Sequence, residues 1–165
     1  MNNLKPLLDF IAKHESGGDY NVVWGRIKKE DRPLKPLTDM TIGEVLEWQD
    51  KIDPYYPSEA AGKYQILEDT LRGLYDEAGL SKLDLFDERG QNCLATQLLY
   101  RRGLLGYLAG DITIEKFANS LAKEWASLPC VSGSKKGRSY YGGDGLNRAL
   151  ARVEPFLAAI RAIKS

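Results

Sequence analysis

Apolar residues recur three or four positions apart along most of this chain, and that period points to a mostly helical fold. The clearest stripe is Ile114, Phe117, Leu121 and Trp125, with Thr113 placed to cap its N-terminus. Leu4, Leu7, Leu8 and Ile11 repeat the pattern at the start of the chain. Thr41 and Glu44 form a capping box ahead of Ile42, Val45, Leu46 and Ile52. Further helices are expected from about Glu68 to Ala78, stopped by Gly79, and from an Asp87 cap through Cys93, Leu94, Leu98 and Leu99 to near Gly103. The last is expected from about Leu146, with Leu150, Val153, Leu157 and Ile160 inward and Pro155 kinking or restarting it. Between these, Tyr20 to Ile27 mixes β-branched and aromatic residues and suits a short strand or hairpin, whereas LLGYLAG at 104–110 reads as an apolar turn. The segment from Pro129 to Gly145 is glycine-rich and long enough for a mobile functional loop.

With 165 residues, 43% of them hydrophobic, the chain can bury one sizeable core, so 1–165 is expected to form a single domain. Its 23 basic and 23 acidic residues leave no net field to attract nucleic acid or an anionic membrane. Arg26, Lys28 and Lys29, and again Lys135, Lys136 and Arg138, read as solvated surface. No run approaches the roughly 18 apolar residues of a membrane span, so no stable membrane insertion is expected. The N-terminus lacks a signal-peptide core, which implies synthesis in the cytoplasm. Cys93 and Cys130 read as buried thiols rather than a disulfide or a metal site.

Chemistry narrows by elimination. The single histidine, His14, adjoins Glu15, and neighbouring residues on a helix point in different directions, which disfavours a nucleophilic triad. No phosphate-binding loop, dinucleotide fingerprint or metal-ligand spacing is present, so neither cofactor nor metal is expected. Carboxylate chemistry survives. Glu15 lies one turn beyond Ile11 on the apolar face, just before the Gly17-Gly18 break. A carboxyl drawn out of water there keeps its proton toward neutral pH, as a general acid must.

Three islands extend this reading: HESGG followed by Tyr20-Asn21, AAGKYQIL at 60–67, and EWASLP at 124–129, with Arg102-Gly103 between the last two. In order and spacing they resemble the lysozyme-like peptidoglycan glycosidases, most closely the phage lambda endolysin type of lytic transglycosylase. The match spans roughly residues 5 to 157. Ala61 departs from it, standing where a glycine is usual, and the segment after Pro129 is longer. The resemblance implies a mainly α (α+β) lysozyme-like fold, with a helical main lobe and a small irregular, β-containing lobe flanking a substrate groove. It implies cleavage of the β-1,4 bond between N-acetylmuramic acid and N-acetylglucosamine, with Glu15 as general acid and base. Ser16, Tyr20, Tyr64, Gln65, Ser127, Tyr140 and Tyr141 are the expected glycan contacts; Trp125 and His14 are expected to be structural. A hydrolytic lysozyme would need a second carboxylate, for which Asp19, Asp39, Glu44, Asp50, Asp53 and Glu59 are available. A non-catalytic wall-binding or virion module is the alternative of another class. The implied partner is the peptidoglycan strand, met by a monomer or a phage-particle component in the bacterial periplasm and wall.

Overall fold

The structure, a computed structural model, describes residues 3–164. It is mainly helical, in agreement with the mainly α expectation, and divides into two compact units: residues 3–15 with 98–164, and Ser16–Gln97. Its α-helices are α1 (Lys5–Ser16), α2 (Ile42–Ile52), α3 (Glu68–Leu74), α4 (Glu88–Arg101), α5 (Leu104–Ala109), α6 (Ile114–Ala122) and α7 (Val153–Arg161).

The discontinuous unit is built on the strongest helical stripe. Thr113 caps α6 by accepting the N–H of Lys116, and Phe117 and Leu121 are fully buried. Leu7 and Ile11 of α1, Leu104 of α5, and Phe156 and Ile160 of α7 are buried too. Two stacked ring pairs fix the register of this core, Phe10 with Phe156 (centroids 5.8 Å apart) and Tyr107 with Phe117 (5.1 Å). The segment 104–109 is a helix rather than a turn: Gly103, at φ +103°, reverses the chain and lets α5 begin, and Gly110 at φ +82° ends it.

The C-terminal helix starts later than its periodicity suggests. Gly145 is left-handed, and the Asp144 carboxylate accepts the N–H groups of Leu146 and Asn147. The N–H groups of Leu150 and Ala151 go to the carbonyl of Ser127, which takes them out of a helical ladder. Leu146 and Leu150 are therefore exposed. Pro155 becomes the third residue of α7, where an N–H would lack an intrahelical partner anyway, so it begins the helix instead of kinking it.

In the Ser16–Gln97 unit, α2 carries the expected capping box, with Thr41 and Glu44 exchanging both hydrogen bonds. The short strand or hairpin expected at Tyr20 to Ile27 is reduced to one isolated bridge, Val23 to Ala61, beside a second within the next turn, Ala61 to Ile66. Buried Gln49 ties them to α2 by donating to the carbonyls of Glu59 and Ile66. The glycine that this turn requires is Gly62, at φ +80°, since a Cβ there would lie 2.3 Å from Gln91 Oε1. Ala61 needs no left-handed backbone, so its departure from the family pattern costs nothing locally. Helix α3 ends at Leu74, short of Ala78, and the chain goes on in turns in which the Ala78 N–H still bonds the Leu74 carbonyl, with left-handed Gly79 following as expected. Cys130 is buried, but Cys93 is partly exposed, correcting the expectation that both thiols are buried; both are free.

Candidate active site

Glu15 sits one turn beyond buried Ile11, next to the last residue of α1. Its side chain meets Ser127, whose hydroxyl donates to Glu15 Oε1 and whose backbone N–H also donates to the carboxylate. Burial raises the Glu15 pKa; the two Ser127 hydrogen bonds pull it down, and burial dominates. The negative end of the α1 dipole acts in the same direction as burial. The result is a carboxyl that stays protonated to higher pH than an exposed glutamate, yet has two donors waiting for its anion.

Ser127 is held as firmly as Glu15. It follows α6 in a turn anchored by buried Trp125 and Leu128, with Trp125 N–H still bonded to the Leu121 carbonyl (3.0 Å). Trp125 therefore belongs to the core. Its neighbour Glu124 accepts from Arg102 Nε at 2.7 Å, a largely buried pair that sequence reading did not single out. The Ser127 carbonyl in turn accepts the N–H groups of Leu150 and Ala151 at 2.9 and 3.1 Å. His14 turns away from the chemistry: its Nδ1–H donates to the Phe10 carbonyl (2.8 Å), and its ring packs on that of Phe10.

The segment after Pro129 folds onto itself through the bridges Pro129 to Ser139 and Cys130 to Lys136. Tyr140 and Tyr141 project from its end as an edge-to-face pair, 38% and 42% exposed. The Tyr141 hydroxyl donates to the Lys123 carbonyl (2.6 Å), and the ammonium groups of Lys123 and Lys135 lie over the Tyr140 ring.

The Ser16–Gln97 unit has its own polar cluster. Asn92 Oδ1 accepts from the hydroxyls of Tyr64 (2.7 Å) and Tyr20 (3.2 Å), while Lys63 Nζ donates to the Tyr20 hydroxyl. The Tyr64 ring is only 1% exposed, so it positions Asn92 rather than offering a face to a sugar. Gln65 occupies a left-handed position (φ 48°), and its amide donates to the carbonyls of Val22 and Gly62, which makes it the brace of this turn. The Ser16 hydroxyl donates to the Lys63 carbonyl. Asn92 carried no sequence signal, being one polar helical residue among many, and Lys63 stood out only as part of the AAGKYQIL island.

Several candidate second carboxylates already have structural work. Asp19 accepts the Asn21 N–H, Glu44 completes the capping box and pairs with Lys35, and buried Glu59 accepts the N–H of Glu68 at the start of α3. No group of three or more metal-ligating side chains occurs among the described residues, and none of their helices is long and apolar enough to cross a membrane.

A desolvated carboxyl with two donors beside it can hold a proton toward neutral pH and also stabilise the anion left when that proton goes. The Endolysin family model matches residues 13–149, from just before Glu15 to the end of the segment after Pro129, and the chain belongs to that family. It is thus an endolysin-type, peptidoglycan-degrading enzyme. No curated protein and no solved structure matches the chain.

Proposed function

We propose that the protein is a lytic transglycosylase, with residues 1–165 acting as one lysozyme-like catalytic domain that cleaves the β-1,4 bond between N-acetylmuramic acid and N-acetylglucosamine. The observation that carries this reading is Glu15, desolvated and held by the hydroxyl and N–H of Ser127. Protonated Glu15 delivers its proton to the glycosidic oxygen as the C1–O bond breaks and positive charge develops at muramic C1. The resulting carboxylate, stabilised by Ser127, takes the proton of the muramic C6 hydroxyl as that oxygen bonds to C1. The product is a 1,6-anhydro end, and Glu15 is protonated again.

This cycle needs one carboxylate that changes charge twice, and the opposed influences on Glu15 suit that demand. Burial favours the acid form, while Ser127 limits the cost of the anion. The structural engagement of Asp19, Glu44 and Glu59 favours the single-carboxylate route over hydrolysis with a partner acid. Ser127, Tyr140 and Tyr141 serve as glycan contacts in the unit that holds Glu15. In the Ser16–Gln97 unit that role falls to Tyr20 and Ser16, with Tyr64 and Gln65 acting through the groups they position. The setting is phage-type lysis or wall penetration, with the enzyme acting on the bacterial wall. Mass spectrometry of digested peptidoglycan tests the reaction type, since an anhydro end is one water lighter than a hydrolysed one; hydrated ends alone would make the enzyme a muramidase.

A further inference from the structure

We infer that a cationic cavity in the segment after Pro129 holds a carboxylate of the peptide stem carried by the muramic residue. The inference rests on the peptidoglycan-cleaving reading and deepens it by naming a second part of the substrate. The cavity has a volume of about 390 Å³, and its walls include Lys135, Arg138, Ser139, Asn147 and Arg148. Three cationic residues line it, and no acidic one does. Asp144, the one acid between 129 and 149, is committed to the N–H groups of Leu146 and Asn147 and to the Asn147 side chain. Arg138 spends one donor on the Ser134 carbonyl and Lys135 one on the Tyr140 carbonyl, which orders both cations without neutralising either. Arg148 is paired with no acid among the described residues. Charges gathered this way, with guanidinium forks among them, suit a planar, bidentate anion.

The position of the cavity selects the ligand. Arg148 precedes Leu150 by two residues, about 7 Å of extended chain at most, and the Leu150 N–H is bonded to the carbonyl of Ser127, the residue that holds Glu15. Ser139, which also lines the cavity, bridges to Pro129, two residues beyond Ser127. The cationic cavity is therefore built onto the support of the acid itself. The sugar whose C1 bond Glu15 protonates also carries the peptide stem through its lactyl ether, and the stem is the carboxylate-bearing branch nearest that bond. A cavity that seats the stem orients muramic acid, and not the uncharged N-acetylglucosamine, at the acid.

Isothermal titration of the purified protein with a soluble stem tetrapeptide, free-acid or fully amidated, tests this without requiring turnover. The parent protein and Glu15→Gln should bind the free-acid peptide alike and the amidated peptide roughly tenfold or more weakly, as loss of a charge-assisted hydrogen bond implies. Arg138→Gln with Arg148→Gln should lose that preference. Both side chains are exposed, so the fold should be retained, and Lys135→Gln gives an independent variant. Equal binding of the two peptides, or an unchanged preference in both variants, would overturn the inference. So would inorganic phosphate binding more tightly than the free-acid peptide, which would assign the cavity to phosphate. Failure of the glycosidase reading is separate: it appears as wall clearing by Glu15→Gln, which leaves the peptide titration unaffected.

Discussion

Glu15 is a residue whose environment works against its own ionisation, and that has a consequence for stability as well as for catalysis. Because its pKa is raised in the folded protein, the native state holds a proton that the unfolded chain releases as pH rises past the ordinary glutamate value. Native stability therefore falls as pH climbs from about 4.5, the unperturbed value, through the raised one. Glu15→Gln abolishes the titration while keeping an acceptor for Ser127, so it should melt higher than the parent at neutral pH. The gain should shrink toward nothing below pH ~4, where both the folded and unfolded glutamate carry a proton. Melting curves across pH check this, and a gain that is constant with pH would mean that Glu15 is not desolvated. Ser127→Ala removes a hydrogen bond that favours the anion. The alkaline limb of the clearing activity, set by loss of the acid's proton, should then move to higher pH, with a lower maximum rate because the anion formed in the cycle loses a donor. An unmoved limb would disconnect the Ser127 hydroxyl from the acid.

At the scale of elements, caps and tight glycines set the frame on which these residues sit. Thr113→Ala removes the side-chain cap of α6, the helix that leads into the Ser127 turn, and should cost about 1 kcal/mol, readable in urea unfolding. Gly62→Ala should cost more than a typical surface change, because it combines a left-handed backbone with a Cβ 2.3 Å from Gln91 Oε1 and 2.9 Å from Phe86 Cε1. Gln91 links the carbonyls of Tyr20 and Phe86 to the N–H of Lys63, so its displacement loosens the turn carrying Lys63, Tyr64 and Gln65. An alanine variant as stable as the parent would show that this region yields at no cost.

Helices were legible in the sequence wherever an apolar stripe and a cap agreed, as at α2, α4 and α6, and at α1 from its stripe alone. The errors came where backbone donors were claimed from far along the chain. Nothing in LNRAL at 146–150 announces that its N–H groups belong to Ser127, and periodicity alone extended α7 too far. The strand expected at Tyr20 to Ile27 failed for a related reason: its pairing is with single residues of the 60–66 turn, a tertiary fact. Glu15 could be read from its place in the apolar row, and Ser127 from its motif, but their mutual hydrogen bonds join residues 112 apart. Lys135 and Arg138 are exposed, as their composition suggested, and only the fold reveals that Arg148 lines the same cavity.

For the molecule as a whole, neutral net charge supplies no global field, so the proposed recognition rests on local features: the desolvated acid, the exposed tyrosine pair and the cationic cavity. Membership of the endolysin family sets the target as the bacterial wall, and the proposed single-carboxylate route would leave an anhydro end as its signature. The most direct test is the mass spectrum of fragments released from purified peptidoglycan by the parent protein and by Glu15→Gln at equal concentration. The parent should release disaccharide-peptides one water lighter than hydrolysed ends, and Glu15→Gln, although folded and at least as heat-stable at neutral pH, should release none. Fragments released by Glu15→Gln at the parent's rate would contradict the assignment of Glu15 as the acid on which the reaction depends.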